Sequence, residues 1–69
     1  MPLSLARAGE TNYIRKVMGN DALRRYLSGL GLVTGEKVTV ISEINGSIIL
    51  SIKNSRIALD RNMANLILV

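Results

Sequence analysis

The sequence predicts a mainly β protein: a small barrel of about five short strands with one helix and one short helical turn. Three observations predict it. Six glycines, with Gly19-Asn20 and Asn45-Gly46 among their pairings, punctuate the chain at short intervals. Apolar residues alternate with period two through the second half. Only one segment carries the i, i+3, i+4, i+7 apolar spacing of a helix. The 69 residues form one domain, 1–69. A chain this short buries only about 60% of its unfolded surface. Its core must be dense, and 48% of the chain is apolar, yet there is no Trp or Phe and only Tyr13 and Tyr26 are aromatic. Leu, Ile, Val and Met must fill the interior.

Leu3 and Leu5 mark a tethered N-terminal segment, and Ala8-Gly9-Glu10 a turn before the first strand. Asn12 to Met18 reads as that strand, since Tyr13, Ile14 and Val17 suit a pleated half-buried surface. Gly19 breaks it, and Asn20 or Asp21 can cap the helix by accepting from an orphan N–H. The helix carries Leu23, Tyr26, Leu27 and Leu30 as one stripe, with Arg24, Arg25 and Ser28 elsewhere on its surface. Gly31 stands where a left-handed C-terminal residue is expected. About ten residues of isolated helix are marginal in water, so the stripe must pack on a sheet.

Val38 and Val40 alternate with Thr39 and Ile41, and Asn45-Gly46 is a strong hairpin signal. Ile48, Leu50 and Ile52 then alternate with Ser47, Ile49, Ser51 and Lys53. Asn54-Ser55 makes another turn, and Arg56 to Leu59 a strand with Ile57 and Leu59 inward. Asp60 caps a helical turn through Met63, and Leu66 to Val69 closes the chain as a strand. Barrel closure is expected because it removes the unpaired edges of a small flat sheet.

Composition excludes several functions. Without Cys there is no disulfide, thiolate metal site or thiol nucleophile, and without His no Ser–His couple or imidazole ligand. The carboxylates Glu10, Asp21, Glu36, Glu43 and Asp60 are scattered. These counts argue against an enzyme, a cofactor or a metal site. No apolar run reaches the roughly 18 to 20 residues of a membrane span, and MPLSLARAGE lacks an export h-region, so the expected location is cytoplasmic. The net charge of +4 permits an acidic partner without requiring one.

Gly29, Gly31 and Gly35 have the wrong spacing for a phosphate loop and follow a helix instead of opening one. Arg24-Arg25-Tyr26 mixes basic and aromatic residues as nucleic-acid surfaces do. Tyr26, however, is assigned to the core stripe, and the other cations are dispersed. Ile41 and Ile49 lie opposite the main apolar series of their strands. They either fill the core between sheet and helix or form a partner-facing patch.

The segment from Leu23 to Val40, LRRYLSGLGLVTGEKVTV, resembles the leading signature of the FeoA family, the ferrous iron transport protein A domain. Arg56-Ile57-Ala58-Leu59-Asp60 with Met63-Ala64 and Ile67 to Val69 is similar to its closing block, and Met1 to Ala6 with Gly9-Glu10 is similar to its start. Thr34 stands in place of a common proline and Asn54 in place of a usual glycine. The resemblance implies an SH3-like β-barrel and a cytosolic accessory of the membrane ferrous iron transporter, whose cytoplasmic part binds GTP. The expected docking surface combines Arg24, Arg25, Gly29 and Gly31 with Ile49, Arg56 and Arg61. Self-association is left open, and a small nucleic-acid-binding barrel is the alternative.

Overall fold

The computed structural model describes all residues from Met1 to Val69. A 3-10 turn at Leu3–Leu5 precedes β1 (Thr11–Tyr13), β2 (Lys16–Val17) and α1 (Asp21–Gly29). Then follow β3 (Lys37–Ile44), β4 (Ser47–Ile52), β5 (Ser55–Asp60), α2 (Arg61–Ala64) and β6 (Ile67–Leu68).

Two consecutive hairpins make the larger sheet. Asn45 and Gly46 take φ of 50° and 80°, and Lys53 and Asn54 take 47° and 66°. Positive φ at both central residues is the mark of a two-residue turn whose twist matches the flanking strands. The second turn is therefore Lys53-Asn54, one residue earlier than expected. Lysine carries no turn signal, whereas Asn54 supplies the left-handed conformation a glycine would otherwise provide. β3 to β5 pair antiparallel behind β1, in the order β1-β3-β4-β5. A register shift between Val40 and Ser42 leaves Ile41 as the extra residue of a β-bulge.

The expected single strand over Asn12 to Met18 is two strands. β1 pairs with β3, while β2 pairs with β6 in a separate two-stranded sheet. Between them Ile14 is buried, its N–H donating to the Glu36 carbonyl at 2.9 Å and its carbonyl accepting from Gly35 at 2.8 Å. The chain thus crosses from one sheet to the other at Ile14. The body is closed by this covalent crossing, and the hydrogen-bond ladder remains open. Closure does not remove the sheet edges as expected, and β5 is an edge strand.

The core holds Val38, Val40, Ile48, Leu50, Ile52 and Leu59 from the larger sheet, with Leu3, Ile14, Leu27, Leu32, Ala64 and Ile67 over them. Of the helix stripe, Leu27 is fully buried and Leu23 and Leu30 are half-buried. Tyr26 is 54% exposed and not part of the core. It lies a full helical step of about 100° from Leu27, at the stripe's margin, where its hydroxyl stays in water. Leu5 is likewise exposed; Leu3 anchors the N-terminal segment in the core, while Ser4 bonds Asn65 and Pro2 bridges Leu68.

Candidate functional site

Asn20 starts α1: its Oδ1 accepts from the Leu23 N–H at 2.8 Å. At the other end the Gly31 N–H donates to Ser28 and the Leu32 N–H to Leu27. This pairing is a Schellman cap, with Gly31 at φ 93° in its left-handed position. The cap turns the chain sharply, so that Leu32 enters the core while Val33 and Thr34 stay outside.

That turn builds an open groove of about 380 Å3 lined by Lys16, Val17, Arg24, Ser28, Leu32, Val33 and Thr34. β2 supplies one wall, α1 another, and the segment after Gly31 completes it. Two cations and two hydroxyls border an apolar floor. Arg24 pairs with Asp21 one turn earlier on the helix, and its side chain stays 52% exposed. Lys16 and Arg25 enter none of the three ion pairs, so both charges are available to a partner. Gly29 faces open space, where a side chain would meet nothing within 4 Å. Gly31 packs nearer the core, its Cβ position 3.7 Å from the Ile52 side chain.

The remaining expected residues lie elsewhere. Arg56 is exposed on β5 opposite Ser51. Arg61 pairs with Glu43 and donates to the Ser4 carbonyl at 3.4 Å, tying α2 to β3 and the N-terminal turn. Five residues of strand, about 16 Å, separate Arg56 from Arg61. Ile49 is half-buried between Ser42 and Ala58 on neighbouring strands, outside the buried core. Of the expected residues only Arg24 lines the groove; Lys16, Val17, Ser28, Leu32, Val33 and Thr34 were not among them. Lys16, the groove's second cation, lies eight positions before Arg24 on β2, and no local spacing signals that the fold sets it beside α1.

No three carboxylates gather into a cluster that could hold a metal ion. Glu10 makes a local network instead: the Asn12 amide donates to Oε2 at 2.7 Å and the Arg7 backbone N–H to Oε1 at 3.3 Å. These bonds, the Asn12 one foremost, hold the Glu10 carboxyl below its usual range.

The family model described as FeoA domain matches residues 1–69, the whole chain. The chain belongs to the FeoA family. A Methanocaldococcus jannaschii relative named Fe(2+) transport protein A is 39% identical over 69 residues, spanning 99% of this chain and 83% of that one. The crystal structure of Stenotrophomonas maltophilia FeoA with zinc, described as an SH3 domain protein, is 27% identical with a TM-score of 0.86. It covers 100% of this chain and 88% of that chain. A manganese-dependent transcriptional repressor shares the fold at 21% identity and TM-score 0.87, over 97% of this chain and 39% of its own. This FeoA domain therefore has an SH3-like fold, and its role is accessory to ferrous iron transport.

Proposed function

We propose that this FeoA domain acts in the cytoplasm, docking on the GTP-binding cytoplasmic part of the membrane ferrous iron transporter and regulating or assembling it. The observation that carries this reading is the groove between β2 and α1. Lys16 and Arg24 flank a floor of Val17, Leu32 and Val33, a mixed surface suited to an acidic segment with apolar neighbours. Arg25 and the open backbone at Gly29 extend that surface along the helix. Arg61 is engaged internally, so its part is to hold α2 in place.

Titration of the chain into the isolated GTP-binding part at several salt concentrations tests the proposal. Saturable binding that weakens only mildly with salt is expected, because apolar contact contributes alongside two or three charges. Absence of binding would contradict it. Nucleic-acid binding that falls about 10³-fold or more between 50 and 200 mM salt would replace it with the alternative reading.

A further inference from the structure

β5 ends the larger sheet, and no backbone hydrogen bond joins its outer edge to any other part of the chain. An unpaired edge of six residues is a ready template for another strand. Natural edges are blunted by short strands, charged side chains, proline, bulges or a covering element. β5 has no proline, and its register with β4 runs unbroken from Ser55 to Asp60. Ile57 and Leu59 lie opposite the buried Leu50 and Ile48, so Arg56, Ala58 and Asp60 share the outer face, where all three are exposed.

We propose that β5 pairs antiparallel with β5 of a second copy, about a two-fold axis at Ala58. Opposed residues in an antiparallel pair share a face. In this register Arg56 of each copy stands opposite Asp60 of the other, and Ala58 opposite Ala58. Ile57 stands opposite Leu59 on the core side. A shift by one residue would set the outer face of one copy against the core face of the other. A shift by two sets Arg56 opposite Ala58, or Asp60 opposite Ala58, and forfeits both charge pairs. Larger shifts bring like charges face to face.

The charges are free to serve. Arg56 enters none of the ion pairs. Asp60 uses Oδ1 to accept from the Asn62 N–H at 2.7 Å, which leaves its second oxygen for the partner's Arg56. The small Ala58 side chains permit close approach at the axis, and the paired copies form one eight-stranded sheet.

The native chain has no cysteine, so a single introduced thiol reports proximity directly. At the axis the Ala58 Cα atoms lie about 4.5 to 5.5 Å apart, within disulfide reach. Ser55, exposed on the same strand, is the control, because its two copies lie about 20 Å apart in this register. Under mild oxidation Ala58→Cys is expected to form a covalent dimer at least about 10-fold faster than Ser55→Cys. Adding Arg56→Glu, which sets Glu against Asp60, is expected to remove that advantage. Sedimentation of the native chain is expected to show concentration-dependent dimers that Arg56→Glu abolishes, with thermal melts establishing that each variant is folded. Equal oxidation rates at positions 55 and 58, or a native chain that stays monomeric at about millimolar concentration, would overturn the proposal. A fast Ala58→Cys dimer indifferent to Arg56→Glu would overturn the charge-set register.

Discussion

The Leu32 amide donates to the Leu27 carbonyl at 3.0 Å, and both side chains are at most 1% exposed. One backbone bond thus ends the helix and anchors its cap in the core. The same bond positions Val33 and Thr34 along the groove. Core packing and the docking surface are linked through this turn.

Leu27→Ala therefore tests the link at its buried end. A fully buried Leu cut to Ala costs about 2 to 5 kcal/mol. A urea melt is expected to show a loss in that range, and a loss below about 0.5 kcal/mol would mean that α1 does not cap the core.

Two glycines two residues apart are expected to respond oppositely to alanine. Gly31 sits at φ 93°, where a Cβ costs about 1 to 2 kcal/mol even though its neighbours leave room. Gly29 is helical and faces open space, so Gly29→Ala is expected to stabilise by up to about 1 kcal/mol. Paired melts of the two variants check the signs.

Glu10 predicts an acid-side effect. Its folded carboxyl titrates below the ordinary range because the Asn12 amide and the Arg7 N–H favour the charged form. Its contribution is complete above that range and is lost as pH falls through the folded value. Glu10→Gln is expected to be less stable than the native chain near neutrality, with the difference narrowing at an acidic pH as the folded carboxylate takes up its proton. Denaturant melts at both pH values measure it, and a gap that widens in acid would contradict the assignment.

With neither His nor Cys and no cluster of three carboxylates, the chain is expected to bind neither ferrous iron nor zinc at micromolar concentration. Calorimetry that found a stoichiometric site in that range would make iron a direct ligand of this domain.

Much of the fold was legible because local chemistry decides it. Asn45-Gly46 can hardly be anything but a tight turn, and Asp60 caps α2 by accepting from Asn62 at 2.7 Å. Gly31 ends α1 where a left-handed residue was expected. What escaped depends on partners far along the chain. Tyr13 and Val17 read as one strand, and only the separate pairings with β3 and β6 divide them at Ile14. Tyr26 fits the helical spacing and still faces water, since periodicity does not reveal how wide a stripe the sheet covers. At the candidate site the sequence pointed to Arg24 and Arg25. It could not join Lys16 to Arg24, because β2 and α1 meet only in the folded chain and no local spacing signals it.

The most direct test of docking is the affinity of an Arg24→Glu, Arg25→Glu double variant for the transporter's isolated GTP-binding part. Both residues are exposed, so a melt is expected to stay within about 1 kcal/mol of the native chain. Charge reversal against an acidic segment is expected to weaken binding by about 2 kcal/mol or more, roughly 30-fold. Unchanged affinity in the folded variant would remove α1 and its groove from the interface.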